Sequence, residues 1–383
     1  MSGADDAVRL ARAAWSRLVE PGDAVAGALL AALGPQEALA WLRAGAAPPV
    51  AAVDDGEPGG RARAAARLAA AAERWRVRLA GLDPRRELWM LERVGGRLVV
   101  PEDDGWPDGL DDLGTAAPVC LWVRGAADAG RLLAGSVAVV GARACTAYGE
   151  HVTADLAAGI ADAGRCVVSG GAYGIDAVAH RAALAVGGRT VAFLAGGVDR
   201  LYPAGNADLL EAVLEAGGLV SEVPPGSAPA KVRFLQRNRL IAAVTTATVV
   251  VEAAWRSGAL STARRAAELL RPVGAVPGPV TSAMSAGCHR LLREGSAVCV
   301  TDAAEVLELV GPTPAPEPAT VPRPGDDLDP VERRTLDALP VRRAVPEDVL
   351  ARTAGLALPE VRAALGRLEL VGLARREGGA WRR

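Results

Sequence analysis

The residues best suited to chemistry lie in one eleven-residue stretch, Lys231 to Ile241 (KVRFLQRNRLI). Four cations, Lys231, Arg233, Arg237 and Arg239, surround one aromatic ring, Phe234, and one amide, Asn238. Lys and Arg total 43 in this 383-residue chain, and Lys231 is the only lysine among them. Cations interleaved with an aromatic suit a single-stranded nucleic acid: phosphates take the charge and a base stacks on the ring. A solvated helix face has the same composition, and the stretch alone does not separate the two readings. The neighbourhood is basic as well. Lys231 to Arg271 holds eight basic residues against two acidic ones, in a chain whose formal net charge is −2. Any polyanion site is therefore a local patch and not the whole surface.

Glycine-rich turns form the second group. Gly141-Ala142-Arg143 follows an apolar run, Ser169-Gly170-Gly171 follows another, and Gly196-Gly197 a third. Glycines at strand ends let backbone N–H groups approach an anion, and a helix starting just after adds partial positive charge. No GK[ST] follows, so this is not a Walker loop. The only close glycines after the first run are Gly141 and Gly149, which is not the dinucleotide pattern, so NAD is disfavoured.

Elements that could position these turns follow from periodicity. Short β-branched runs recur at Val137–Val140, Val167–Val168, Val191–Leu194, Leu219–Val220, Val249–Val251, Gly274–Val276 and Val298–Val300, with helical stretches between. The alternation predicts an α/β domain over residues 131–310, a Rossmann-like parallel sheet with helices on both faces. Such sheets bind ligands at the carboxyl ends of their strands. Residues 1–130 read as a small helical domain plus a junction. Leu18, Val25, Leu29, Leu30 and Leu33 keep helical spacing up to Gly34-Pro35, and Gln36 to Arg43 forms a second short helix. A polar gap from Asp54 to Gly60 precedes a third helix, Arg61 to Leu79. Residues 311–328 read as a Pro-rich linker; the stretch 311–330 carries seven of the 26 prolines. Within residues 329–383, Val331–Leu339, Val345–Ala354 and Leu358–Leu370 look helical and Leu373–Trp381 holds a GG turn, the order of a winged helix. Such a module reads duplex DNA or docks a protein.

Several classes are excluded. The five Cys never form CxxC and, with three His, make no zinc spacing, so scattered thiols in a reducing cytosol are expected, with no metal and no cofactor. MSGADDAVRL lacks the basic and apolar regions of a secretory signal, and no apolar run reaches the ~18 residues of a membrane span. The chain is therefore expected in the cytoplasm. Asp176 and His180 share a helix at i and i+4, but without a nucleophile or metal partner they read as a capping Asp and a packed His. Glu252 reads as a buttress of its strand end.

In order, VAVVGARACTAYG (137–149), VVSGGAYGIDAVAH (167–180), GGVDRLYPAGN (196–206), SEVPPG (221–226), FLQRNRLIA (234–242), VVVEAAWRSGALSTARRA (249–266) and AVPG (275–278) resemble the motifs of the DNA-processing protein A (DprA/Smf) family. The flanks agree, with EDDGWPDGL and PVCLWVRG (102–125) similar to its junction. The resemblance implies a protein that binds single-stranded DNA without sequence preference, forms a homodimer through the Rossmann-like domain, helps load RecA during natural transformation and has no catalytic activity. By position, Arg143 matches the family's DNA-binding Arg, Lys231 its pocket Lys and Phe234 its stacking aromatic. The candidate DNA-binding residues are Gly141, Ala142, Arg143, Ser169, Gly170, Gly171, Lys231, Phe234, Arg237, Asn238 and Arg239. Three departures stand out: Ala142 replaces a Ser, Leu235 a Pro and His289 an Asn. A sensor of small nucleotides, or a nucleotide phosphoribohydrolase, would share the fold; the latter needs a PGGxGTxxE loop that this chain lacks.

Overall fold

The computed structural model describes residues 5–47, 49, 60–125, 129–311, 328–341 and 343–383. Two compact units result, one ending at Thr313 and one running from Pro314 to Arg383. The expected Pro-rich linker lies almost wholly outside the described residues, as does most of the Asp54–Gly60 gap.

The first unit starts with helices α1 (Asp6–Leu18), α2 (Ala24–Ala44), α3 (Gly60–Arg76) and α4 (Pro84–Arg93), followed by strands β1 (Gly96–Val99) and β2 (Leu121–Gly125). The alternating part then runs α5 (Ala129–Leu133), β3 (Val137–Val140), α6 (Ala147–Asp162), β4 (Val167–Ser169), α7 (Ile175–Ala185), β5 (Thr190–Leu194), α8 (Ala207–Ala216) and β6 (Gly218–Ser221). It finishes with α9 (Lys231–Val244), β7 (Ala247–Val250), α10 (Ala259–Glu268), β8 (Val273–Ala275), α11 (Ala286–Arg293), β9 (Val298–Cys299) and α12 (Ala303–Val310).

Nine strands form one sheet in the order β1-β2-β6-β5-β4-β3-β7-β8-β9. From β6 to β9 all neighbours are parallel, while β1–β2 and β2–β6 are antiparallel. The central strands read as unbroken apolar runs because helices cover both faces. On one face Ala138, Val140, Val168 and Phe193 pack on Leu240 and Ile241 of α9 and Leu260 of α10. On the other, Val137, Val139, Val167 and Val249 pack on Leu156 and Ile160 of α6 and Ala179 of α7. From β3 the chain winds outward through β4, β5 and β6, then returns to β7 on the other side of β3. The carboxyl ends of β3 and β7 thus flank the topological switch point, where open α/β sheets hold ligands.

Two expectations need correction at the N-terminus. Residues 96–99, read with the small helical domain, and 121–125, read as its junction, both extend the sheet, and Ala13 of α1 shares a core with Leu98, Trp122, Leu194 and Leu219. Residue 130 is therefore no unit boundary. The helix expected to run from Leu18 through Leu33 is broken between α1 and α2, where Asp23 caps α2 through the backbone N–H groups of Val25 and Ala26. Gly34 then kinks α2 in a left-handed conformation, ahead of Pro35. Helix α2 is long and apolar enough to cross a membrane by composition, but Ala26, Leu29, Leu39 and Leu42 are buried against Trp15 and Trp75. Those two indoles meet edge to face at 5.3 Å.

The second unit consists of α13 (Pro330–Ala338), α14 (Glu347–Ala354), α15 (Leu358–Leu370) and the hairpin β10 (Arg375–Glu377) and β11 (Ala380–Arg382). Leu336, Leu350, Leu365, Leu368 and Trp381 form its core. Val345, expected inside a helix, instead bridges Trp381 and widens the wing, so α14 begins only at Glu347. The order is that of a winged helix.

His180 is packed as expected, fully buried in α7. The hydroxyl of Thr190 donates to the Val167 carbonyl, so its one proton is used and the Nδ1–H of His180 donates to Thr190 Oγ1 at 2.7 Å. Burial, aided by the charge of Arg237, holds His180 down to about 3. The unfolded chain protonates near pH 6.5. Stability from the neutral imidazole is therefore complete above pH 6.5 and drains away as pH falls towards 3, on the order of a few kcal/mol. Denaturant midpoints measured across that range should fall, and they should fall less steeply in His180→Gln.

Candidate nucleic-acid interface

A groove of about 730 Å³ opens at the switch point. One wall is the turn after β3, with Gly141 and Arg143. The opposite wall is the first half of α9, with Lys231, Phe234, Leu235, Arg237 and Asn238. The loop from β7 to α10, Arg256 to Ala259, also lines it. At the centre the Arg143 guanidinium lies over the Phe234 ring, 4.9 Å from its centroid, and Tyr202 flanks the same ring at 6.0 Å. This places together Arg143 and Phe234, which are 91 positions apart in the chain.

The four cations of α9 have very different fates. Arg233 bonds to Glu20 at 3.0 Å. Arg239 is buried and ion-paired to Glu222, whose carboxyl is pushed up by burial against the pull of Arg239. Arg237 is buried in the groove floor and donates to the Phe193 carbonyl at 2.8 Å. Burial lowers its pKa while Asp176 opposes that shift. Lys231 alone is exposed and without an acidic partner among the described residues. Arg143 and Arg256, also exposed, complete a set of three such cations on the groove.

The glycine turns play a different part from the one expected. The N–H groups of Gly170 and Ala172 both donate to Asp176 Oδ2, at 3.2 and 3.4 Å. The anion in this cradle is the chain's own carboxylate, so Asp176 braces the loop ahead of α7 and does not cap the helix; Gly174 holds the cap position. Burial raises the Asp176 carboxyl, and Arg237 pulls it back. Ser169 is fully buried and donates to the Val139 carbonyl. Gly170 is a glycine because a Cβ there would stand 1.7 Å from Arg237 Nη1. Gly174, at φ +76, lies where a Cβ would meet the Ala142 carbonyl oxygen at 2.3 Å, which lets the turn bearing Arg143 lie flat on α7.

Of the sequence candidates, Gly141, Arg143, Lys231, Phe234, Arg237 and Asn238 line the groove. Ala142, Ser169, Gly170, Gly171 and Arg239 do not: they are buried behind it as supports. Asn238 also supports, donating to the Gly258 carbonyl at 3.2 Å and Ser261 Oγ at 2.9 Å and so fixing the start of α10. Glu252 accepts from the backbone N–H and hydroxyl of Thr146, the buttress expected of it.

Sequence reasoning missed Tyr202 and Arg256, although both lie in motifs it singled out. It also missed two helix N-termini. Helices α9 and α10 both begin at the groove with no acid in the first turn, and α9 has no side-chain cap. Both helix dipoles add positive potential at the same place, although the first N–H groups of α10 are already taken: Ala259 donates to Ser257 Oγ, Leu260 to the Ser257 carbonyl and Ser261 to the Gly258 carbonyl. Lys231 at the start of α9 is unfavourable to the helix itself, and an anion would relieve it.

The architecture is that of a Rossmann-like α/β protein with an anion-attracting, aromatic-lined groove, followed in sequence by a winged helix. The chain belongs to the DNA recombination-mediator protein A family: that family's model matches residues 97–311, and the DprA winged helix domain matches residues 316–380. It is 50% identical over 309 residues to a putative DNA processing protein DprA of Mycobacterium tuberculosis, covering 77% of this chain and 79% of that one. Protein Smf of Escherichia coli is 38% identical over 291 residues, 74% of this chain and 76% of the relative. The X-ray structure of DprA from Streptococcus pneumoniae superposes with TM-score 0.60 at 30% identity, over 80% of this chain and 98% of that one. A Helicobacter pylori DprA structure, described for its single-stranded DNA binding mode, matches with TM-score 0.50 at 28% identity, over 56% of this chain and 94% of that one.

Two substitutions check the division between support and groove. Arg239→Met leaves Glu222 buried without a counter-charge and should cost about 3–5 kcal/mol in denaturant unfolding; Arg239→Met with Glu222→Leu should recover most of it. Gly170→Ala should cost about 1–3 kcal/mol by displacing Arg237.

Proposed function

We propose that this chain binds single-stranded DNA without sequence preference in the groove between the ends of β3 and β7. The observation that carries the reading is the grouping of Arg143, Lys231 and Arg256, none with an acidic partner among the described residues, around the Phe234–Tyr202 pair. Phosphates bind the cations, with Arg143 offering a planar fork and Lys231 a flexible point charge. Bases stack on the aromatic rings, which every base can do, so no sequence is selected. The binding mode named for the Helicobacter pylori relative supports the same reading.

The chain acts as a binding protein and not as a catalyst. Of the two buried carboxylates near the site, Glu252 is spent on Thr146 and Asp176 on its own loop, and the relatives named above carry names for DNA processing and not for a reaction. Family membership supports three further parts of the proposal: a cytoplasmic homodimer, handing bound DNA to the RecA recombinase, and protection of incoming strands. Sedimentation of the purified chain tests the first of these, and RecA-filament assembly on DNA coated with single-strand-binding protein tests the second.

Fluorescence anisotropy with a labelled oligothymidylate tests the binding itself. Affinity should fall with salt, log K against log salt having a slope of about −2 per chain from three phosphate contacts. Arg143→Ala or Lys231→Ala should each weaken binding roughly tenfold or more and flatten that slope by about 0.7. Phe234→Ala should weaken it at least fivefold with the slope unchanged. Parent-like binding by all three variants would remove the groove from the account.

A further inference from the structure

We propose that the DNA track continues past the groove onto a second stacking platform, Trp255 backed by Arg290, with Arg256 as the phosphate contact between them. This inference rests on the groove reading above and assigns its exit.

Trp255 is 59% exposed, an unusual cost for the largest apolar side chain, whereas Trp15, Trp75, Trp106, Trp122 and Trp381 are buried. It directly precedes Arg256, which lines the groove. The Arg290 guanidinium, from α11, lies 5.0 Å from the Trp255 ring centroid. The groove itself contains the same unit: a guanidinium from one element on an aromatic ring from another, Arg143 on Phe234. The other exposed indole, Trp89, differs, since its cation Arg93 lies four residues on along the same helix.

The loop carrying Trp255 is held on both sides. The Ala253 N–H donates to the Met284 carbonyl at 2.7 Å, and the Gly287 N–H donates to the Ala253 carbonyl at 2.7 Å. A Cβ at Gly287 would stand 2.7 Å from that same carbonyl oxygen, so the close approach requires a glycine. Ser257 N–H closes a turn onto the Ala254 carbonyl, and Asn238 of α9 grips Gly258. The indole is thus presented on a rigid support tied to the groove wall. A rigid exposed ring, backed by a guanidinium that is itself paired with Glu294 at 3.9 Å and adjacent to the unpaired groove cation Arg256, fits a nucleobase, with its phosphate on Arg256.

The test compares Trp255→Ala, Trp255→Phe and Phe234→Ala on two oligothymidylates, one of about four nucleotides that fills only the groove and one several times longer. Trp255 is exposed and its loop is fixed by backbone bonds and Asn238, so the Trp255 variants keep the fold. Trp255→Ala should weaken the long oligonucleotide about tenfold and leave the short one unchanged, Trp255→Phe should retain most of the affinity, and Phe234→Ala should weaken both. DNA-induced quenching of tryptophan fluorescence should also drop in Trp255→Phe. If Trp255→Ala binds both lengths like the parent while Phe234→Ala weakens both, the track ends in the groove and this proposal is overturned alone. If Phe234→Ala also binds like the parent, the groove reading falls and takes the extension with it.

Discussion

The site depends on a buried charge, the guanidinium of Arg237. It lies beneath the switch point, donates to the end of β5 at Phe193 and touches the turn after β4 so closely that residue 170 has no room for a side chain. A buried cation needs compensation. Asp176 supplies the opposite charge while its carboxylate collects the N–H groups of Gly170 and Ala172. One arrangement therefore ties α9, α7, β4 and β5 together and uses up the anion-binding capacity of the glycine turn. What is left for an external anion lies above this floor: the tips of Arg143, Lys231 and Arg256 and the start of α9, whose cap residue makes no side-chain bond.

The same separation runs through the rest of the unit. Arg is the near-universal cation of this chain, and the structure uses it as a fastener. Arg233 is tied to Glu20, Arg239 to Glu222, and Arg271 to Asp112 and the backbone at the far end of α9. The Glu20 and Asp112 links join segments distant in sequence, and the Glu222 link ties the end of β6 to α9. A planar, always-charged fork suits that work, and a single flexible Lys is retained where no partner is fixed. On the proposed reading its partner is a phosphate backbone whose position varies.

Much of the fold was legible from the chain. Seven apolar runs marked the seven strands β3 to β9: β3 to β8 are covered on both faces and carry no polar alternation to obscure them, while β9 is an exposed edge strand read from its apolar run alone. Strands β1 and β2 were hidden: GRLV and LWVRG sit amid charged and helical sequence, and nothing local says that β2 pairs with β6 and β1 with β2. The break before Asp23 was equally hidden, since Leu18 and Val25 keep helical spacing across it. In the candidate site, residue type marked Lys231 and Phe234 and the family resemblance added Arg143; the structure brings the three to one groove. Burial was what sequence could not give: Arg237 and Arg239 share a composition with Lys231 but face the core, and Ser169, Gly170 and Gly171 look like a phosphate cradle until Asp176 is seen within it. The uncapped start of α9 was invisible for a simpler reason, since Ala230 is an ordinary residue whose meaning depends on where the helix begins.

The central claim is that the unpaired cations and aromatics at the switch point, and not the buried Arg residues beside them, hold the DNA backbone and bases. The structure of the chain bound to an oligothymidylate tests it most directly. The account predicts a phosphate within hydrogen-bond reach of Arg143 or Lys231 and a base stacked in the Phe234–Tyr202 pair, with Asp176 still holding the Gly170 and Ala172 N–H groups. A phosphate seated on those N–H groups in place of Asp176, or DNA bound elsewhere with the groove empty, would contradict it.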